Sequence, residues 1–397
     1  MRIKGRYIII YSIITWFIPG CTKPYNPKVI STASNYLVVE GTINTGGDST
    51  TILLSRTVPL NSNLTTVPEL GAVITIQSNQ NQSYSLAEKG NGIYSSPVLT
   101  LPATAQYRLS IVTDDGKTYL SDYVTPKASP PIDSIGFTEV SNKQQGSGLQ
   151  IYVNTHDPNN NTHYYHWDYL ETWQFHAKYE SDYVSNGAAI LFRTPAQQIF
   201  QCWGNSISTD IELGSSAKLT QDVIYQSPLT FIPSTSEKLE TRYSILVKQY
   251  ALSTDAYNYL SLLKQNTEEL GSIFDAQPSQ LTGNIHCTTD ATLPVIGYIS
   301  AGSVQQKRIY INSSQLPNNW IATYPYNCEL DTAWFADPHA RGANNVEAFL
   351  IPLPTSNIPT VQFFGTGGPA PLGYLYTDID CADCSVRGTT TQPSFWQ

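Results

Sequence analysis

The chain has 397 residues and a net charge of −9 at pH 7, with charged residues making up 13% of it, about half the usual fraction of roughly 25%. An acidic chain without a basic block does not suit nucleic acid, whose binding rests on Lys and Arg neutralising phosphates, nor does it suit attachment to an anionic membrane by charge. The 26 tyrosines, with abundant Ser, Thr, Asn and Gln, give a neutral, hydrogen-bonding surface, and the length leaves room for two domains.

In chain order the first expected element is a leader. MRIKGR carries Arg2, Lys4 and Arg6 with no acid, and Tyr7–Ile18 follows as an uncharged apolar run. A helix needs roughly 20 apolar residues to span a bilayer, so this shorter run reads as part of a secretory signal over residues 1–20. Ile18-Pro19-Gly20-Cys21 resembles a bacterial lipobox, although Pro19 departs from the usual residue there. Cys21 is therefore the expected lipidation site and first mature residue, and TKPYNPK, with two prolines, reads as a tether over 21–35. Cleavage before Cys21 would remove three of the 22 basic residues and none of the 31 acidic ones. The mature chain would then be still more acidic, and acyl chains, at roughly 0.8 kcal/mol per buried CH₂, would have to hold it at the membrane.

Residues 36–126 read as an immunoglobulin-like β-sandwich. YLVVEGTI, TTILLSRT, AVITIQ, SYSLA, GIYSS, YRLSIVT and TYLSDYV are short β-rich runs separated by turn signals such as Gly46-Gly47 and Asp114-Asp115-Gly116. Tyr107, Leu109 and Ile111 alternate with polar neighbours and should face the core. PKASPPID, residues 126–133, is a proline-rich link, since proline breaks sheet pairing and stiffens the chain.

A larger β-rich domain is expected over 132–397. Leu149, Ile151 and Val153 alternate in one strand, and Tyr164 to Ala177 reads as a long aromatic strand. Its odd positions Tyr165, Trp167, Tyr169, Trp173 and Phe175 share a face, most simply a core face rather than a ligand platform. One amphipathic helix is expected near 253–270, capped by Ser253, with Asp255 in its first turn and Gly271 ending it. Its apolar stripe is Ala256, Tyr259, Leu260, Leu263, Thr267 and Leu270. The fold class is thus mainly β, two β-rich domains with a single helix.

Chemistry is sparse. Four of the six histidines, His156, His163, His166 and His176, fall close together, and on a strand His166, Asp168 and His176 share one face. A metal would need several such ligands to converge; polar surface or loop positions are the simpler reading. Glu268-Glu269 lies on the helix and should be solvated. No nucleophile elbow, phosphate loop or HExxH occurs, so no catalytic residue, cofactor or metal site is expected.

Beyond Cys21 there are five cysteines: Cys202, Cys287, Cys328, Cys381 and Cys384. An export signal implies an oxidising compartment in which cysteines pair. Cys381 and Cys384 form a CADC without the helix that a thioredoxin-like motif requires, and the other three are too scattered to suggest a zinc site. A structural disulfide is expected at Cys381 and Cys384, either local or reaching back to Cys202, Cys287 or Cys328; spacing does not choose among these.

The segments CTKPYNP, LVVEGTIN, TTILLSRTVPL, GNGIYSSP, PPIDSI, RYSILVKQYALSTDAYNYL, GSIFDAQPSQLTGNIHC, VIGYISAG and CADCSVRGTT…PSFW, in that order, resemble the DUF4249 lipoproteins of Bacteroidetes. The resemblance implies a lipid-anchored outer-membrane protein beside a TonB-dependent receptor, with no catalytic residues to carry over and only Cys21 as a functional position. TKPYNPK lacks the acidic cluster that often marks surface export, so either face of the outer membrane fits. Two functions are consistent with the chain. One is a non-catalytic accessory or binding partner of a transporter, with Tyr165, Trp167 and the loops around Trp320 and Trp334 as candidate contact regions, core packing being the simpler reading for the first two. The other is an envelope hydrolase whose site assembles only in the fold, signalled by a pocket lined with carboxylates or by His166 and Asp168 meeting a further ligand.

Overall fold

A computed structural model describes residues 35–59, 62, 66–142, 145–268, 281–366 and 368–397. The expected signal, Cys21, most of the tether, and the Leu270-Gly271 end of the helix lie outside the described residues. The chain is mainly β. Its strands are β1 (Leu37–Asn44), β2 (Ser49–Arg56), β3 (Val67–Pro68), β4 (Val73–Ser78), β5 (Ser83–Gly90), β6 (Ile93–Val98), β7 (Tyr107–Val112) and β8 (Thr118–Ser121). Next come β9 (Ile132–Asn142), β10 (Gly146–His156), β11 (Tyr164–His176), β12 (Tyr183–Ser185), β13 (Ile190–Phe192), β14 (Gln201–Ile207), β15 (Glu212–Ser215), β16 (Val223–Pro233) and β17 (Arg242–Ala251). After helix α1 (Thr254–Thr267) follow β18 (Ile285–Cys287), β19 (Val295–Gly297), β20 (Ser300–Gly302), β21 (Val304–Asn312), β22 (Asp331–Trp334), β23 (Asn357–Phe364) and β24 (Pro371–Asp378). Two short helices, α2 (Asn345–Phe349) and α3 (Ile379–Ala382), accompany α1, the one helix long enough to carry an amphipathic stripe.

β1 to β8 wrap one core. β5 pairs with both β4 and β6, so the two layers are a single folded sheet. Tyr107, Leu109 and Ile111 face inward and are buried, as the alternation predicts. This sheet also takes in chain from beyond the 36–126 segment. β18 pairs antiparallel with β8, while β19 and β20 pair parallel with β1. Ile285, Val295, Ile299 and Ala301 complete its core. Pairing between residues so far apart leaves no local sequence signal, which is why strand patterning alone closed the sandwich too early.

The second unit is a sandwich of a three-stranded sheet, β16-β10-β9, against a sheet ordered β14-β11-β17-β21, with β15 also on β11. Leu149, Ile151 and Val153 pack against Tyr165, Trp167, Tyr169, Trp173 and Phe175, all buried, so the odd face of the aromatic strand is core. Two indoles gain their space from glycine. A Cβ on Gly214 would lie 2.4 Å from the Trp167 ring, and one on Gly204 would lie 2.4 Å from that of Trp173. Ser253 caps α1, accepting from the Ala256 N–H at 3.2 Å, with Asp255 in the first turn and Ala256 and Tyr259 buried.

A third, small lobe holds the sheet β22-β24-β23 with the hairpin β12-β13 beside it. Tyr183, Ala333, Val346, Leu350 and Tyr374 form its core. Cys381 and Cys384 do not pair with each other. Cys381 bonds Cys328, and Cys384 bonds Cys202 on β14, while Cys287 is free and buried. The first bond closes the neck of the lobe, since Cys328 precedes β22 and Cys381 follows β24. The second ties that neck to the aromatic sheet. The CADC is therefore a double clamp, each thiol facing a different partner.

Candidate functional site

The even positions of β11, opposite the aromatic core, carry the polar groups that sequence patterning singled out. Among them His166 meets Asp168, Nε2 to Oδ1 at 2.9 Å, and its Nδ1–H donates to the Glu212 carbonyl at 3.0 Å. Burial works against charge on this ring, but the Asp168 carboxylate prevails and raises the His166 pKa above the ordinary imidazole value. Asp168 is lowered despite its own burial, first by His166 and then by the Tyr250 hydroxyl. Glu40, reaching from β1 of the first sandwich, is raised by burial and by repulsion from Asp168. Glu212 is raised by burial, with the Lys264 ammonium of α1 3.9 Å away working against the shift.

This cluster stands where the sandwich, the aromatic sheet and α1 meet, yet it is not arranged as a general base. A catalytic imidazole needs one nitrogen free to take a proton while the other is oriented. Both nitrogens of His166 already face acceptors, so neither is free to take a substrate proton. The other histidines disperse. His156 pairs with Asp133 at 2.8 Å, and His176 stacks on Phe200 with Glu240 3.8 Å away. Among the described residues no group of three or more His, Cys, Asp or Glu is placed to hold a metal ion. Glu268, expected to be solvated, accepts from the Ile211 N–H at 2.7 Å; Glu269 lies outside the described residues.

A serine, a histidine and an aspartate do converge elsewhere, and sequence spacing gave no hint of it. His163 Nδ1 lies 3.2 Å from the Ser216 hydroxyl, which donates to Asp222. The order is wrong for nucleophilic attack, because the serine proton goes to the carboxylate and not to the imidazole. Asp222 also accepts from the Tyr165 hydroxyl, and its N–H donates to the Asn160 side chain at 2.7 Å. Ser216 and Asp222 are buried, and it is the Asn160 contact that fastens the loop 157–162 to the segment before β16.

Among the described residues, two surface grooves bear on catalysis. The larger, roughly 570 Å³, is lined by Tyr36, Arg56, Glu69, Asp114, Asp115 and Lys117 among others. It has carboxylates, but two of the three are held by their own cations. Arg56 grips Glu69 through Nε at 2.6 Å and Nη2 at 2.9 Å, and Lys117 with Thr113 holds Asp115 down at about 2. The smaller, roughly 270 Å³, lies between the linker 127–131 and the loop 157–162. Neither brings together an acid, a base and a free nucleophile.

The lobe differs in kind. Of the residues expected to make contacts, Tyr165 and Trp167 are buried in the core and Trp320 is partly buried against it. Trp334 lies on the lobe sheet, its ring 4.8 Å from Phe363 in a T-shaped contact. Elsewhere on the lobe Phe192, Phe335, Phe349, Leu353, Val361 and Phe364 are exposed, Phe192 by 71%. Glu347 is the sole charged residue from 342 to 377, and 183–192 has none.

The sequence of residues 22–308 matches a family model described as a domain of unknown function, DUF4249. The chain belongs to the DUF4249 family. No curated protein matches it. In DUF4249 terms the match covers both sandwiches through most of β21, and the disulfide-clamped lobe after Cys328 lies beyond it.

Proposed function

We propose that this DUF4249 chain is a non-catalytic, lipid-anchored outer-membrane protein of Bacteroidetes that serves as an accessory or binding partner of a TonB-dependent nutrient-uptake system. The observation that carries the non-catalytic reading is that the polar clusters already use their reactive atoms on one another, whereas a clamped lobe offers apolar side chains to a partner. Interface cores are depleted in charge and rich in aromatics, and the lobe has that composition. Anchoring through Cys21 rests on the lipobox-like Ile18-Pro19-Gly20-Cys21, and the link to a transporter rests on the family resemblance. Fold alone supplies neither.

Cys21→Ala should abolish incorporation of labelled palmitate; retained label would remove the anchor. For the accessory role, the lipidated protein is pulled down in mild detergent, and uptake is measured in a deletion strain. An outer-membrane receptor should co-purify and uptake should fall. Recovery of no receptor together with normal uptake would leave the role without support. A hydrolytic activity lost on mutating a carboxylate pair would favour an envelope hydrolase instead.

A further inference from the structure

We propose that the face of the aromatic sheet turned away from its core is a docking groove for an acidic, aromatic-bearing peptide of a partner protein, and that residues 391–397 are a strap that holds the groove closed. The strap starts just past Thr389, which pairs both ways with Trp203 on β14, at 2.8 and 3.0 Å. Register sets Trp203 beside Gln174 on β11 and Gln174 beside Arg242 on β17; one row along, Ser244 of β17 lies beside Tyr310 on β21. Trp396 sinks among these side chains. It is 8% exposed, its ring edge-on to Trp203 at 6.5 Å and to Tyr310 at 5.8 Å. Phe395 covers Arg308, whose guanidinium carbon lies 3.7 Å from the ring centroid. Side chains hold the backbone of the strap. The Tyr310 hydroxyl donates to the Phe395 carbonyl at 2.7 Å, and Arg242 Nη1 donates to that of Gln397.

The strap matches the groove in shape but not in charge. Arg242 lies 4.5 Å over the Tyr310 ring, and Arg308 is two positions along the same strand as Tyr310. Among the described residues neither arginine pairs with an Asp or Glu side chain. Burial lowers the Arg308 pKa, and no carboxylate works against that shift. Residues 384–397 contain no Asp or Glu, so the strap supplies none. Against Trp396, the Trp203 Nε1 and Arg242 Nε donors are buried without an acceptor, a state that native proteins rarely tolerate. A peptide that keeps the two rings and adds carboxylates would give these groups the acceptors they lack, and arginine recognises carboxylate best. A peptide is the fitting occupant because a peptide segment already lies in the groove, met at its carbonyls by Tyr310 and Arg242. While the strap is seated, a competitor binds with its affinity reduced by the fraction of time the groove is open.

The test is fluorescence anisotropy of two fluorescein-labelled peptides with the full chain in mild detergent. One peptide has the sequence of residues 391–397; the other carries Ser394→Asp and Gln397→Asp, which flank the two rings. In the protein, Phe395→Ala with Trp396→Ala opens the groove. The acidic peptide should bind the opened chain at least about tenfold more tightly than the neutral peptide does, and at least about tenfold more tightly than it binds the native chain. Arg308→Gln added to the opened chain should remove the preference for the acidic peptide. Equal binding of the two peptides overturns the proposal, as does equal binding to the opened and native chains. A preference indifferent to Arg308→Gln also overturns it, and so does no binding to an opened chain whose circular dichroism spectrum is native. If the opened chain does not fold, the native chain decides. The acidic peptide at about 100 µM, enough to populate a micromolar complex, should speed amide hydrogen exchange in residues 391–397, and unchanged exchange overturns the proposal. No transporter enters either assay, so these results stand apart from the accessory role.

Discussion

His166 and Asp168 act at the scale of single residues, as an ion pair rather than as a catalyst. The Asp168 pKa is lowered, so its contribution to stability is present above the ordinary aspartate value and is lost as pH falls through the lowered one. The His166 pKa is raised, so its contribution is full below the ordinary imidazole value and is lost as pH rises through the raised one. The two overlap between about pH 4 and pH 6.5. His166→Gln should therefore lower the urea midpoint most within that window and less on either side. Midpoints measured against pH for both proteins check this; a difference that does not vary with pH would separate the pair from stability. Activity is not expected to follow, because neither ring nitrogen is free.

Among the elements, the two disulfides do what regular structure does elsewhere. The lobe has a core of five buried residues, too few to hold 50 residues alone. The Cys328–Cys381 bond closes a separation of 53 residues and the Cys202–Cys384 bond one of 182. Loop closure of those lengths stabilises by about 4 and about 5 kcal/mol in the chain-entropy account. Replacing Cys328 and Cys381 together by Ser should make the lobe the first region cut in limited proteolysis, with the two sandwiches left intact in the mass spectrum. Alkylation of the native, unreduced protein should leave Cys202, Cys328, Cys381 and Cys384 unlabelled. Cys287, free but buried, should label only after denaturation.

Across the whole molecule, Gln249 fastens the linker between the two sandwiches to the second of them. Its side chain donates to the Pro130 carbonyl at 2.7 Å and to Thr155 at 3.0 Å, and accepts from Trp167 Nε1 at 2.9 Å. Its own carbonyl accepts from the Ser129 hydroxyl at 3.2 Å. Gln249→Leu would strand a buried indole N–H and a buried carbonyl, each costing about 1–3 kcal/mol. The expected result is a lower thermal midpoint and freer motion between the units, read as a broader distance distribution between labels placed on each. The first sandwich is also not a separable 36–126 unit. A fragment of those residues should fail to give a dispersed NMR spectrum, and adding 281–303 through a linker should restore it, because β18 to β20 supply its missing strands and core residues.

Local chemistry was legible in the residues themselves. Alternation marked Tyr107, Leu109 and Ile111, and the odd face of Tyr164–His176, as core; Ser253 and Asp255 marked the start of a helix; the ordered segments marked the family. Each depends on neighbours a few residues apart, where sheet and helix periods act directly. Tertiary structure alone decided that Cys384 reaches Cys202, that β18 to β20 return to the first sandwich, and that His163, Ser216 and Asp222 meet. Apart from Ser216 and Asp222, which are six positions apart, these pairings join residues 53 to 258 positions apart, and closing such loops costs entropy that grows only slowly with their length. The chain's length thus imposes no preference among partners, and packing across the sheets makes the choice.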